Sequence, residues 1–463
     1  MKILFLRPYY GITINSDMHG DLGVTEYYAQ VFPDLSLVYA ATIAKGLNYG
    51  QIEILDANAE KLMPQNTLAR ITNAFNIIIV KIASPTVKYD LEFAQYLKKI
   101  FPKARIVICG HIVKMLKKWI EKNIPEIDDV IEKPIEASIY EILTGKKKLL
   151  TLGDFPSPDY TLFPYKKYID AYGASRGTLY MSQGCIMGCQ YCPYYSYYGK
   201  NIHIRSAEKG FEDIMGLLGL GIKTIAFRDQ FFTYAYDNIK KLCEMIISKN
   251  IMFKWRCETR LDSLTPEIID LMAAAGLECV YFGIESASKK ILDQYNRKTF
   301  SINKERKIID YIHEKNIDTI AFYIIGFPDD NWISIKKTLD LARQIDSKYI
   351  RFGIFYPNIF ENCVENISPG LFEPFQDNLS LSPSKNLTLN EINFLRDQLS
   401  LLYYSEKKNL QYVYEYEFQK IESFNEKRKL LKKQLESCSI FDLQELPAKQ
   451  NLFTSGNKGN WGK

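Results

Sequence analysis

Two patterns alternate along the chain. Short, almost unbroken apolar runs are separated by longer stretches in which apolar positions recur every three or four residues. This alternation predicts strands buried on both faces with helices between them. Over residues 1–145 the runs are "MKILFLRP", "QIEILDAN", "NIIIVKIASPT", "ARIVICGH" and the shorter "DDVIEKP", with an apolar helix "DLSLVYAATIAKGLNYG" after the first. A second series follows from residue 175. Its strands are predicted at 178–182, 222–227, 252–257, 279–284, 318–325 and 349–355. Amphipathic helices are predicted between and after them, at 207–219, 237–249, 265–275, 287–294, 302–315 and 335–345. "SLTPEIIDLMAAAG" carries full helix punctuation, with Thr265 as N-cap, Pro266 in the first turn and Gly276 at the C-terminus.

Strand–helix alternation implies an α/β protein with parallel sheets covered on both faces. Four segments are expected: a doubly wound, Rossmann-like domain over 1–145, a linker over 146–174, a second α/β unit over 175–360, and a mainly helical region over 361–463. The linker, "TLGDFPSPDYTLFPYKKYID", is rich in proline and aromatics and reads as ordered. In the last segment helices are predicted near 389–404 and 406–436, with mixed Lys and Glu charge on solvated faces and a disordered end "SGNKGNWGK". That segment is expected to cap the second unit.

Composition changes the picture little. Hydrophobic residues make up 47% and charged residues 24% of 463, as in an ordinary globular protein. A net charge of +5 gives no case for nucleic acid. The apolar start is four residues long before Arg7 and Pro8, so no signal-peptide core is expected, and no run approaches a membrane span. The chain reads as cytoplasmic, with neither nucleic acid nor membrane as partner.

The cysteines carry the chemistry. Nine in a chain of this kind do not suggest a disulfide framework. Cys109, Cys243, Cys257, Cys279, Cys363 and Cys438 are scattered and read as small buried hydrophobes. Cys185, Cys189 and Cys192 instead form C-x3-C-x2-C within "GCIMGCQYCPYYSYYGK". A structural zinc wants four closed ligands, so His203 or a remote cysteine would have to complete it. An iron–sulfur cube wants thiolates close together on one wrapping loop, and three of them leave one iron open to a cosubstrate. Gly184 and Gly188 suit such a loop, which needs positive φ. The trio follows the first strand of the second series, where a parallel barrel gathers its sites. Other strand ends there are polar: "FRDQFF" with Asp229 and Gln230, "CETR" with Glu258 and Arg260, "GIES" with Gly283, Glu285 and Ser286, and "GFPDD" with Gly326 and Pro328. The tyrosines 194, 195, 197 and 198 either wall a cavity or shield the loop from water.

With Tyr191 as the aromatic of C-x3-C-x-aromatic-C, this region resembles the radical S-adenosylmethionine enzymes, as do "RSAE", "ETRLD", "GIESAS" and "GFPDD". The resemblance implies a partial (β/α)6 barrel of the TIM type and a [4Fe–4S] cluster on Cys185, Cys189 and Cys192. It also implies S-adenosylmethionine chelated at the open iron and cleaved to a 5′-deoxyadenosyl radical. By analogy Tyr191 and Gly283 belong to the cosubstrate site, with Asp229 and Gln230 near the methionine amino group. Arg260 falls near the carboxylate and Glu285 and Ser286 near the ribose. The glycine–glycine–glutamate of many members is replaced by "FRDQ".

Upstream, "PDLSLVYAATIAKGLNYG…EILDAN…IASPT…ICGH" resembles the cobalamin-binding domain found ahead of such barrels, where cobalt usually has no protein histidine. Tyr9, Ser84, Thr86, Gly110 and His111 lie at the sheet edge where this fold binds ligands and are the candidate cobalamin contacts. There is no G-x-G-x-x-G after the first strand, which disfavours a dinucleotide. "DMHGDLG", with His19, meets a cobalamin histidine motif only loosely, and His19 reads as an ordinary loop residue. The resemblance implies a cobalamin-dependent methyltransferase acting on an unactivated carbon or phosphorus of a small molecule, with a low-potential donor such as flavodoxin or ferredoxin. A radical cyclase, rearrangement or oxidation enzyme is the alternative within the family; a zinc-stabilised binding protein is the alternative outside it.

Overall fold

The computed structural model describes residues 1–26, 30–72, 74–170, 173–298, 301–356, 368–372, 374, 384–407 and isolated positions between 422 and 433. The helix expected over 406–436 and the expected disordered end lie largely outside these residues, as do Cys363 and Cys438.

The N-terminal half is built on five parallel strands, β1 (Lys2–Arg7), β2 (Gln51–Asp56), β3 (Ile77–Lys81), β4 (Arg105–Cys109) and β5 (Asp129–Ile131), in the order β2-β1-β3-β4-β5. Their apolar runs place side chains on both faces, and helices cover both. The longer helices are α1 (Leu35–Gly46), α2 (Val87–Ile100), α3 (His111–Asn123) and α4 (Ile135–Thr144). Strand order reverses between β1 and β3, which makes a switch point at their C-terminal ends. Asp34 caps α1 by accepting the Leu37 N–H at 3.0 Å. A helix apolar all round must be covered all round; α1 accordingly lies at the seam between the halves, with Tyr39 against Phe155 and stacked on Tyr180.

The second half is a six-stranded parallel sheet in sequence order: β6 (Arg176–Leu179), β7 (Thr224–Phe227), β8 (Lys254–Glu258), β9 (Leu277–Glu285), β10 (Asp318–Ile325) and β11 (Tyr349–Ile354). The crossover helices include α5 (Ala207–Gly219), α6 (Tyr236–Ser248), α7 (Pro266–Ala274), α8 (Ile302–Glu314) and α9 (Trp332–Ile345). The fold is the expected α/β one, a doubly wound sheet joined to an open half-barrel. Strand one begins two residues before its predicted start and ends at Leu179; Ser182–Gln183 pairs instead with His203–Ile204 in a small ribbon. The reason is Asp229, which takes the Met181 and Ser182 N–H groups and turns the chain out of the sheet.

An open barrel has two edges whose backbone groups need partners. A tyrosine hydroxyl closes each. On β6, Tyr160 accepts the Thr178 N–H at 3.0 Å and donates to the Thr178 carbonyl at 2.6 Å. On β11, Tyr404 of α10 (Leu389–Ser405) does the same for Ile350, both at 2.9 Å. Tyr160 comes from the linker. That segment is core, with Leu152, Phe155, Tyr160, Phe163 and Tyr168 buried between α1 and the barrel. Arg205 locks it further: its guanidinium is fully buried, pairs with Asp213 of α5 and donates to the Phe155 carbonyl at 3.0 Å.

Candidate active site

Side chains alternate along a strand, so half of the barrel positions face the helices and half face inward. The outer set (Trp255, Cys257, Phe282, Ala321, Tyr323, Phe352) packs into the main core. The inward set at the C-terminal ends comprises Arg228, Glu258, Gly283, Glu285, Phe322 and Arg351, and all of these line one cavity of about 350 Å³. A closed barrel would fill this space with branched apolar residues. Here the mouth is polar and open.

The cysteine loop forms one wall. Cys185, Cys189 and Cys192 all line the cavity, with Tyr191 beside them. Gly184 sits at φ +96° and Gly188 at +66°, as a wrapping loop requires. A Cβ on Gly184 would meet the Asn201 carbonyl. Burial raises the Cys185 thiol, against a backbone hydrogen bond from Met187. It raises Cys192 to about 12, against those from Tyr195 and Tyr194. Three thiols gathered on one cavity wall suit a cation that would neutralise them as thiolates. Among the described residues no group of three or more His, Cys, Asp and Glu side chains is arranged to hold a single metal ion. His203, the local fourth ligand a zinc would need, pairs with Gln183 in the ribbon.

Beside the loop the wall is cationic. Arg260 is held by Asp262 through two bonds of 2.8 and 2.7 Å, and leaves its Nη1 buried without a partner. Arg297 lies 3.7 Å from Glu285, donates to the Gly283 carbonyl and leaves Nε unpartnered. Burial raises the Glu285 carboxyl, against Arg297 and a hydrogen bond from Tyr191. Burial likewise raises Glu258 to about 7, against Arg228. A Cβ on Gly283 would meet the Glu285 carboxylate, so a side chain here would displace Glu285. Buried donors without partners are uncommon in folded chains and mark places where something else binds.

Of the sequence-derived candidates, Tyr191, Gln230, Arg260, Gly283 and Glu285 line the cavity together with the cysteines. Asp229 does not. It is 1% exposed, and its carboxylate is spent on the Met181 N–H at 3.0 Å and the Ser182 hydroxyl at 2.8 Å. Ser286 is buried behind the wall and accepts the Ser288 N–H at 3.1 Å.

The N-terminal candidates also stand back from the cavity. Thr86 donates to Asp90 at 2.7 Å, and the Ser84 N–H is held by the Leu22 carbonyl at 2.6 Å. Gly110 is a close approach to the Ile82 carbonyl, and Tyr9 lies under Lys61. His111 is fully buried, with Nδ1 2.8 Å from the Gly20 carbonyl, Nε2 3.0 Å from Ser196 Oγ, and its ring stacked on Tyr197. Residues 10–25 thus fill the switch-point crevice, anchored by Asp21 on buried Lys81, and the residues this half turns to the cavity are Met18, His19 and Val24. Burial, reinforced by Arg351, lowers His19 to about 4; its Nε2 is buried without a partner.

Sequence reasoning missed Arg228, Arg297, Arg351 and His19 as cavity residues. For Arg228 the signal was its place directly after a strand; Arg297 and Arg351 offered none beyond charge.

Residues 179–342 match the sequence model of the Radical SAM superfamily. An uncharacterized methyltransferase of Pyrococcus horikoshii is 26% identical over 354 residues, covering 70% of this chain and 76% of that one. The bacteriochlorophyllide d C-12(1)-methyltransferase of Chlorobaculum tepidum is 21% identical, covering 70% of this chain and 71% of that one. Among solved structures, the cobalamin-dependent S-adenosylmethionine radical enzyme OxsB superposes with TM-score 0.61 at 15% identity, over 74% of this chain and 51% of OxsB, so the chain spans about half its length. The radical S-adenosylmethionine methyltransferase TsrM of Kitasatospora setae gives 0.55 at 13% identity, over 76% and 72%. Fold, cysteine loop and family match agree on a radical SAM domain over residues 179–342.

Proposed function

We propose that the protein is a cobalamin-dependent radical S-adenosylmethionine methyltransferase acting on an unactivated carbon or phosphorus of a small molecule. One observation carries this reading: the three cysteines, the unpartnered arginine donors and the roof residues Met18, His19 and Val24 of the N-terminal half share one cavity. The methyltransferase relatives and the two-part fold shared with OxsB and TsrM support it.

The donor set suits the cofactors. Cys185, Cys189 and Cys192 would hold a [4Fe–4S] cluster, since soft thiolates on one loop match its three ligated irons. Arg260 and Arg297, each with an orphaned buried N–H, would take the carboxylate of S-adenosylmethionine, and Glu285 or Glu258 its ammonium. A corrinoid would lie against Met18, His19 and Val24, where the neutral His19 imidazole offers an unpartnered nitrogen. When bound, these groups supply a carbon-centred radical and a transferable methyl group. The protein's own part is to orient them, keep water out and hold the cysteine loop. A low-potential donor such as a flavodoxin or ferredoxin supplies the electron. On this reading residues 1–145 are the corrinoid domain, 146–174 the linker and 175–360 the radical barrel.

The test is anaerobic reconstitution with and without hydroxocobalamin. About four irons with matching sulfide per chain are expected, the content of one cube, along with a corrin spectrum that stays with the protein. Methyl-deuterated S-adenosylmethionine is expected to label the product. Alanine at Cys185, Cys189 or Cys192 removes the iron–sulfur absorbance near roughly 400 nm and 5′-deoxyadenosine formation; turnover surviving in any of the three overturns the proposal. Iron without a corrinoid leaves the radical enzyme standing and removes the methyl transfer.

A further inference from the structure

We infer that the substrate is an anion, carrying a carboxylate or phosphoryl group that Arg228 and Arg351 bind inside the barrel mouth. This rests on the radical methyltransferase reading and adds the chemical class of its substrate.

Both arginines occupy inward positions. Arg228 follows β7 and Arg351 sits in β11, paired in register with Phe322 of β10. They therefore enter one cavity from strands two and six of the barrel. The other barrel arginines there are engaged: Arg260 with Asp262 and Arg297 with Glu285. Arg228 and Arg351 have no carboxylate within 4 Å among the described residues, and the Nε of Arg228 is buried with no hydrogen-bond partner. Glu258 and Asp17 face Arg228 from beyond that distance, and His19, which faces Arg351, is neutral. A guanidinium presents a planar fork that matches carboxylate and phosphoryl oxygens two at a time. The cavity lining also has an apolar, aromatic part, formed by Phe322, Ile324 and Phe355, beside the carboxylates of Glu258 and Glu285. A molecule with an acidic group and a flat or apolar body satisfies both features; a cationic or purely apolar one leaves the buried Nε of Arg228 unpaired.

The probes are phenylphosphonate, phenylacetate and the neutral 2-phenylethanol, titrated calorimetrically into the anaerobically reconstituted enzyme with S-adenosylmethionine present. At least one anion is expected to bind about tenfold or more tightly than the alcohol, the ratio of one charge-assisted hydrogen bond. Tighter phenylphosphonate assigns a phosphoryl group and tighter phenylacetate a carboxylate. Arg228→Gln and Arg351→Gln are each expected to weaken that anion by about tenfold, and Arg228→Lys, which keeps the charge, by less. Equal binding of all three probes overturns the inference. So do variants that weaken S-adenosylmethionine in place of the anions, because the arginines then serve the cosubstrate. Iron content and 5′-deoxyadenosine, read on the same preparation, report separately on the underlying reading.

Discussion

The side-chain carbonyl of Gln230 accepts the Gly184 N–H at 2.8 Å. This bond fixes the residue immediately before Cys185, and with Asp229 on Met181 and Ser182 it ties the root of the cysteine loop to the end of the second barrel strand. The stretch "FRDQ" thus acts twice, with Asp229 and Gln230 positioning the loop and Arg228 facing the cavity between them and the strand. Gln230→Ala leaves a partly buried N–H unpaired at a cost of about 1–3 kcal/mol. The expected result is a folded protein that retains less iron after reconstitution and desalting. Gln230→Glu keeps an acceptor and is expected to hold iron better than the alanine variant; equal iron in all three forms would show that the bond is idle.

The two tyrosines that end the barrel sheet give a stability prediction. Tyr160→Phe strips partners from both polar groups of Thr178, and Tyr404→Phe does so for Ile350. Each is expected to lower stability by roughly 1–3 kcal/mol, seen as a lower urea midpoint. The sites lie on opposite edges of the sheet, so the double variant is expected to be additive within about 0.5 kcal/mol.

Arg205 and Asp213 form a buried pair, both at 1% exposure or less. Arg205→Met leaves Asp213 buried without its cation, with the hydrogen bond from Ser157 remaining, and about 3–5 kcal/mol is expected to be lost. Adding Asp213→Leu removes that orphan, so most of the loss is expected to return. A double variant no more stable than the single one would place the cost in the lost bonds to the Leu152 and Phe155 carbonyls.

His111 makes a prediction about pH. Burial lowers it to about 3, against the hydrogen bond to Gly20, so the imidazole stays neutral in the folded chain. In the unfolded chain it titrates near 6.5. Between these values the unfolded state binds the extra proton, so stability falls as pH falls from about 6.5 towards 3. The slope is about 1.4 kcal/mol per pH unit for one group. The stability difference between wild type and His111→Gln, followed by urea unfolding from pH 7 to 5, is expected to shrink with this slope; a constant difference would show that His111 is not held neutral.

Much of this was legible in the sequence, because strands buried on both faces leave unbroken apolar runs and a cysteine trio is rare. All six barrel strands and their helices fall within a few residues of the expected positions. The cavity was harder to read. In "RDQ" all three residues are polar, and only the register of the strand says that Arg228 points inward while Asp229 turns back to Ser182. Arg351 sits in a strand of hydrophobic neighbours, and its inward side follows from pairing with Phe322, a contact between distant segments. Ser84, Thr86 and His111 were correctly placed at the sheet edge, yet what covers them is a loop with no periodic pattern. His19 belongs to that loop, and its exposure to the cavity depends on the left-handed turn it occupies, at φ +53°.

The linker that supplies Tyr160 also fills the space between α1 and the barrel. Cutting the chain there would strip the first barrel strand of its outer partner and bare apolar surface on both sides of the cut. Neither fragment is then a soluble miniature of the enzyme, and dissection by expressing each half alone is expected to give aggregates.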